Sequence, residues 1–557
     1  MSSPFESLLE GLADTGLAPL GIRAPFTIPS GIVTTIPSVI ARIAQEVPSI
    51  GFLTTKTLSI SPRPGYREPI IHEYYPGCFV NAVGLANPGA QEFRDAMEPL
   101  LPLANSKPLV VSIMGDDPNG FLECALVLDS IADAFELNLS CPHVKGAGQS
   151  VGSDPAMVRG IVQLLKRRVS KPIIPKLSPN LSDIAGMARL CVDAGADAIS
   201  LINTVGPGMA TDQDGYPVLS NVVGGLSGAG ILPVGLKAVK EAASVVKVPL
   251  IASGGISSAE HVQAYRQAGA SLFGVGSALA GMSTPELVDF FAHMERDLGL
   301  NGEGVSATAV PSRALLTSYA KSRVVANETI GDNMFRLSLA SGPPCEPGRF
   351  FFLRLPGEGE KPFSPAHDET PVYLVRKVGP FTAALEGLKP GDRIYLRGPY
   401  GKGFPEPRSG RRLVLLGGGT GIAPLMMAAR RWPDRIARVF FGFSKEVSPA
   451  FRKEVMTLIP DAHVIVDPPG TVGEVTRALI EDMAADPDLY EECQVFLCGP
   501  RRMMEFSTQI LRTTVPPDAI FVGREDLMRC GIGACGSCGT KGGLRSCVDG
   551  PVMPPEE

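Results

Sequence analysis

No stretch of this chain is apolar for long enough to cross a bilayer as a helix, although 44% of its residues are hydrophobic. That apolar content is expected in buried strands. Nor is there a basic cluster: the formal net charge is -6, which leaves no electrostatic footprint for nucleic acid or an anionic membrane. Small-molecule substrates are the natural expectation. The first seventeen residues carry Glu6, Glu10 and Asp14 and lack both a basic start and an apolar core, so a cytoplasmic location without a secretory signal is expected. Phe5, Leu8, Leu9 and Leu12 fall at helical spacing, and a short acidic helix of this kind is expected to pack on its own domain rather than on a membrane. A disulfide framework is missing too. Of eleven cysteines, seven (Cys78, Cys124, Cys141, Cys191, Cys345, Cys493 and Cys498) lie scattered.

The other four stand together near the C-terminus. Cys530, Cys535, Cys538 and Cys547 form a C-x4-C-x2-C-x8-C run, the spacing with which plant-type ferredoxins hold a [2Fe-2S] cluster. Gly531, Gly533 and Gly536 allow the backbone to turn tightly around a cluster whose sulfurs need N–H donors. A structural zinc site is the alternative, but zinc knuckles usually pair two short C-x2-C hairpins. The spacing therefore predicts one-electron chemistry.

At 557 residues the chain is too long for one core. From 26 to 280, β-branched runs alternate with helical segments at 26–32, 50–57, 109–115, 134–140, 173–178, 198–204, 249–255 and 272–278. Eight such strands predict an α/β chain opening with a (β/α)8 TIM barrel, whose functional groups gather at strand C-termini. Lys56, Asn138, Lys176, Asn203 and Ser277 all lie there. Residues 323–405 are rich in short strands with Pro/Gly turns, which predicts a small β-barrel. Strand–helix alternation returns over 411–520 and predicts a doubly wound domain, followed by the cysteine motif as a compact tail. The expected domains are 1–300, a linker at 301–320, then 321–408, 409–520 and 521–557.

In the second half, the apolar strand from Leu413 runs into Gly417, Gly418, Gly419, Thr420 and Gly421, a turn able to hold a dinucleotide pyrophosphate on backbone N–H groups. A second strand-end turn, Cys498-Gly499-Pro500, accompanies it. This pairing resembles the ferredoxin-NADP reductase superfamily, in which the first turn carries nucleotide phosphates and the Cys-Gly-Pro segment lies near the nicotinamide. Lys361-Pro362-Phe363-Ser364 resembles that superfamily's R-P-F-S flavin motif, with Lys keeping the charge but not the planar fork of Arg. Val378-Gly379-Pro380-Phe381-Thr382 stands where an FAD pyrophosphate loop is expected, Pro380 and Phe381 departing from the pattern; Gly379 and Thr382 are its candidate contacts. Gly398 to Phe404 and the Asp549 to Val552 segment are similar to the electron-transfer subunit of class 1B dihydroorotate dehydrogenase.

In the first half, Thr55-Lys56-Thr57, Asn81 to Gly89 (with Gly84 and Leu85), Asn138 to Pro142, Lys176-Leu177-Ser178, Asn203-Thr204, Gly224 to Gly228, Gly254-Gly255 and Gly276-Ser277 follow in barrel order. Together they resemble the catalytic subunit of the same class 1B family. The resemblance implies FMN held by Ser30, Gly31, Lys56, Thr57, Asn138, Lys176, Gly228, Gly254, Gly255, Gly276 and Ser277. It implies dihydroorotate held by Lys56, Asn81, Gly84, Leu85, Asn138, Asn203 and Thr204, and Cys141 as the base, on a loop running to about Ser153. Two-faced amides suit an imide, and a lysine suits the carboxylate. The implied flow is dihydroorotate to FMN, to the [2Fe-2S] cluster, to FAD and finally to NAD, in a homodimer. The Asn138 to His143 run is also reminiscent of dihydropyrimidine dehydrogenases, which reduce uracil or thymine. The Asn81 to Leu85 loop beside Lys56 favours a substrate with a carboxylate.

Overall fold

The computed structural model of the chain describes residues 6–104, 107–139, 148–300, 316–367, 370–468, 471 and 473–555. It divides into two compact units, Met1–Leu316 with Ile532–Leu544, and Thr317–Gly531 with Arg545–Glu557.

In the first unit β1 (Phe26–Ile28), β2 (Ile50–Thr54), β3 (Leu109–Ile113), β4 (Ala134–Asn138), β5 (Ile173–Lys176), β6 (Ile199–Leu201), β7 (Leu250–Ser253) and β8 (Leu272–Gly274) pair in sequence order, all parallel, and β8 closes on β1. All eight expected strands are present. Each stops two to four residues earlier than the sequence pattern suggested, because the polar residues after the last ladder bond leave the sheet as site loops. The helices between them start where short polar side chains cap free N–H groups: Asp117, Asp154, Asp183 and Ser258 each accept from a first-turn amide. Each such cap is worth about 1 kcal/mol.

The barrel interior is layered. At the strands' N-terminal end Phe52, Val110, Ala134, Ile174, Ala198, Ile251 and Leu272 pack with Leu12, Leu17 and Leu20, with Leu9 against them. The N-terminal helix Glu6–Gly11 leads into this plug, so the expectation that it packs on its own domain holds for its described side chains. Above the apolar layer the inward positions turn polar, with Thr27, Thr54, Ser112, Glu136, Ser200 and Ser253 all buried.

A four-stranded antiparallel sheet, ordered Ile71–Tyr75, Cys78–Asn81, Gly224–Gly228, Val205–Gly208, is an addition that the sequence pattern did not reveal. Two of its strands are glycine-rich, and glycine is a poor strand former. The end of the loop expected to reach Ser153 is also different: Gly148–Ser153 is helical, with Val151 buried.

Among the described residues the second unit holds two sheets. The first has seven strands with all pairings antiparallel, and its edge strands Gly359–Phe363 and Pro365–His367 are separated in sequence by Ser364 alone. Edges joined by one residue require the sheet to curl round on itself, which is how the expected β-barrel is realised without a closing ladder. The second sheet is ordered His463–Val466, Ile436–Phe443, Arg412–Gly418, Cys493–Cys498, Ile520–Gly523, Val552–Met553, parallel except for the last strand. The C-terminal segment is therefore not a self-contained tail: Val552–Met553 completes this sheet, and Ile532–Leu544 belongs to the first unit.

Candidate functional site

At the C-terminal ends of the barrel strands lies a cavity of about 1350 Å³, counted out to its open mouth. Ser30, Gly31, Lys56, Thr57, Asn81, Gly84, Leu85, Asn138, Lys176, Asn203, Thr204, Gly228, Gly254, Gly255, Gly276 and Ser277 all line it. Residues as far apart in sequence as Ser30 and Ser277 are thus gathered by the barrel strand order and by the added antiparallel sheet. Cys141 lies outside the described residues.

One end of the cavity is built of backbone. Gly228, Gly254 and Gly255 have φ of +91°, +122° and +82°, and a Cβ on Gly255 would stand 2.9 Å from that of Leu232. Tyr265, fully buried, donates from its hydroxyl to the Gly254 carbonyl at 2.7 Å, and Ser277 donates to Ser227 at 3.0 Å. The ends of the last two strands are where this architecture commonly takes a phosphate.

The other end carries side-chain amides and two lysines. Asn81 donates from Nδ2 to the Gly225 carbonyl (3.2 Å), Asn138 donates to Thr57 Oγ1 (3.0 Å), and Asn203 Oδ1 accepts from the Thr204 N–H (2.7 Å). Lys56 and Lys176 are 8% and 5% exposed, and the Lys56 N–H is tied to the Thr34 carbonyl at 2.8 Å. Two ammonium groups and three amides around one cavity suit an anionic, imide-bearing planar ligand beside an electron-rich ring. Sequence reasoning missed Ile71 and Phe79, which come from the unforeseen sheet, and Ala534 and Cys535. Nothing in the motif spacing signals that Cys535 also faces this cavity.

Ile532–Leu544 is held to the barrel through its carbonyls. Gly281 N–H donates to Ile532 O (2.7 Å), Val33 N–H to Ala534 O (2.8 Å), Thr35 Oγ1 to Cys535 O (2.7 Å) and Ser38 Oγ to Thr540 O (2.7 Å). These bonds satisfy carbonyls that a tightly turned loop cannot pair within itself. Val33 makes its bond at φ +63°, a strained backbone for a β-branched residue. Cys530, Cys535, Cys538 and Cys547 are all buried, and Gly531, Gly533 and Gly536 adopt φ of +78°, +67° and +68°. Soft thiols on left-handed turns are the donor chemistry that an iron–sulfur cluster takes. Cys535 and Cys538 belong to the first unit, Cys530 and Cys547 to the second. Among the described residues no three His, Cys, Asp or Glu side chains form a group that could hold a single metal ion.

In the second unit, Arg412–Gly418 and Cys493–Cys498 are neighbours in the sheet, and the connections leave them in opposite directions, which makes their C-terminal ends the topological switch point. Both glycine turns stand there. A Cβ on Gly421 would lie 2.6 Å from the Cys498 carbonyl and from Gly499, so the two turns touch. Burial pushes the Cys498 thiol up to about 12. Lys361, Pro362, Phe363 and Ser364 are half-buried at one edge of the seven-stranded sheet. At Gly379 the structure adds a detail: Thr382 Oγ1 accepts from the N–H of Val378 (2.9 Å) and of Gly379 (3.1 Å). The hydroxyl thus caps its own short helix, Pro380–Glu386.

A barrel with a polar cavity at its strand ends, a dinucleotide-type crevice and a four-cysteine segment define an oxidoreductase assembled from several cofactor modules. Comparison with known families agrees. The dihydroorotate dehydrogenase profile matches residues 14–310, that of an oxidoreductase NAD-binding domain 415–509, and that of the iron–sulfur cluster binding domain of dihydroorotate dehydrogenase B 525–557. The chain is 40% identical over 267 residues to the catalytic subunit of dihydroorotate dehydrogenase B (NAD(+)) of Thermococcus kodakarensis, covering 47% of this chain and 85% of the relative. It is 45% identical over 236 residues to the Pelobacter propionicus protein of that description (42% and 77% covered) and 38% over 273 to that of Methanocaldococcus jannaschii (48% and 88%). The chain belongs to the dihydroorotate dehydrogenase family.

Proposed function

We propose that the chain oxidises dihydroorotate to orotate, a step of pyrimidine biosynthesis, with NAD+ as the final electron acceptor. The observation that carries this reading is the single cavity into which every described barrel residue of the implied site falls, with Cys535 of the cluster motif in its wall. FMN, a [2Fe-2S] cluster and FAD, when bound, supply hydride acceptance, single-electron transfer and hydride donation to NAD+.

The chain's own residues do the rest. Asn81, Asn138 and Asn203 orient the pyrimidine, and Lys56 offsets the carboxylate charge. Lys176 would stand beside the flavin ring and favour its reduced form, and Gly254, Gly255, Gly276 and Ser277 would hold the FMN phosphate. Cys141 takes the proton that leaves carbon as hydride departs from the neighbouring carbon. Lys361, Pro362, Phe363, Ser364, Gly379 and Thr382 hold FAD. The turns at 417–421 and 498–500 hold NAD. Cys530, Cys535, Cys538 and Cys547 are the cluster ligands. The segments 1–300, 321–408, 409–520 and 521–557 carry these roles in turn. A homodimer in the cytoplasm extends the reading, on family resemblance alone.

The test is anaerobic addition of dihydroorotate to the purified chain, then of NAD+. Flavin bleaching followed by NADH formation is the expected result. No bleaching, together with NADH-dependent reduction of uracil, moves the chain to the dihydropyrimidine dehydrogenase chemistry.

A further inference from the structure

Glu136 is a carboxylate in the interior of a (β/α)8 barrel, a place normally filled by branched apolar side chains. It is 4% exposed. Strand alternation points Glu136 and Asn138 to the same, inner side of β4, and register sets Ser112 opposite Glu136 and Lys176 opposite Asn138. Glu136 Oε1 consequently accepts from Ser112 Oγ at 3.0 Å and stands 3.6 Å from Lys176 Nζ. Ser112 continues to Thr57 at 3.0 Å, the residue that also receives Asn138. On its other side Glu136 borders a small gap whose polar lining is otherwise neutral hydroxyls, those of Thr27, Thr54, Ser200 and Ser253. Lys176 is its counter-charge.

Stability does not explain such a pair. Removing two charges from water often costs more than their attraction returns, and well-packed apolar residues would do as well or better in a barrel core. The pair differs from a packing element in one respect: its cationic end lines the large cavity and its anionic end lies a layer below.

We propose that Glu136 is the positioning residue for Lys176, and that its buried negative charge lowers the reduction potential of the flavin held in the cavity. This deepens the reading above and rests on the cavity being the FMN site. An ammonium beside the ring favours the reduced, more negative flavin. Left uncompensated in a poorly solvated barrel it would hold electrons that must pass on singly. Glu136 offsets that charge through the same low-dielectric interior and fixes where the ammonium stands.

The experiment is an anaerobic redox titration of the full chain, resolving the FMN and FAD transitions, with bound FMN quantified beforehand. Glu136→Gln keeps the shape and the Ser112 contact but removes the charge. It is expected to raise the FMN midpoint by at least tenfold in the two-electron equilibrium, about 30 mV. The FAD transition, in another domain, stays fixed as the internal reference. Glu136→Asp, which restores the charge but withdraws it from Lys176, should fall between wild type and Gln. Should the Gln variant not accumulate, a rise in the Asp variant alone supports the proposal and an unmoved midpoint overturns it. An unchanged FMN potential in a fully loaded Gln variant also overturns it. Wild-type chain that binds no FMN would instead overturn the underlying cofactor reading.

Discussion

Arg397 is, with Arg354 and Arg545, one of the largest fully buried side chains of the described residues, and every contact it makes is specific. Its Nε and one terminal nitrogen pair with the two oxygens of Glu360, itself buried; the other terminal nitrogen donates to Tyr400 (3.0 Å) and to the Cys530 carbonyl (2.7 Å). The guanidinium also lies 3.9 Å from the centre of the Phe352 ring. Burial pushes the Tyr400 hydroxyl up to about 12, and burial together with Glu360 pushes that of Tyr319 well above its ordinary range. Both phenols therefore remain neutral hydrogen-bonding groups at any working pH. Arg397→Leu leaves the Glu360 carboxylate buried without its partner, and should destabilise the second unit by about 3–5 kcal/mol. Adding Glu360→Leu should recover most of that loss, which a thermal-melt comparison of the single and double variants would read directly. Neither Arg397 nor Glu136 was legible in the sequence. A charged residue inside a short alternating run reads as the solvent side of a strand, and only the closure of the sheet or the arrival of another segment turns that side inward.

Glycine turns were legible as elements, and the structure adds which of them must stay glycine. Gly417 to Gly421 and Cys498 to Pro500 could have served plain strand–helix packing. Their adjacency at the switch point comes from the strand order, which no local motif contains. A Cβ on Gly499 would stand 2.8 Å from both the Gly418 nitrogen and the Met503 methyl group, so Gly499→Ala has to part the two turns. The expected outcome is a loss of NADH affinity of at least about tenfold, from one displaced contact of roughly 1.4 kcal/mol. Dihydroorotate should bleach the flavin as in wild type, and equilibrium titration with NADH beside single-turnover reduction separates the two. The sheet at the cavity mouth was illegible for the opposite reason. Val205–Gly208 and Gly224–Gly228 consist mostly of residues that disfavour strands, and the pairing of Gly224–Gly228 with Cys78–Asn81 on one side and Val205–Gly208 on the other supplies what local preference lacks. Asn81 was identified by its motif, but its placement depends on that pairing.

The chain passes from one compact unit to the other three times, at 316–317, 531–532 and 544–545. The relatives it matches are catalytic subunits, and 42–48% of this chain covers most of their length; the NAD-binding and cluster-binding segments follow in the same polypeptide. Covalent joining fixes the stoichiometry and, on the proposed reading, lets electrons pass from barrel to nucleotide domain within one chain, at an effective concentration no dilution can lower. The order of the parts was readable from motifs alone, since each motif answers to cofactor chemistry rather than to long-range packing. The division of the cysteine motif was not, because it depends on which unit each loop carbonyl is bonded to. Complementation tests the consequence. Cys141→Ala should bind FMN and transfer electrons from NADH but fail to oxidise dihydroorotate, while Cys535→Ser should let dihydroorotate reduce FMN yet form no NADH. Mixed in equal amounts, the two disabled chains should produce no more NADH than the sum of each alone, at any total concentration. Recovery that grows with concentration would mean that electrons leave one chain for another, and that fusion serves stoichiometry rather than transfer.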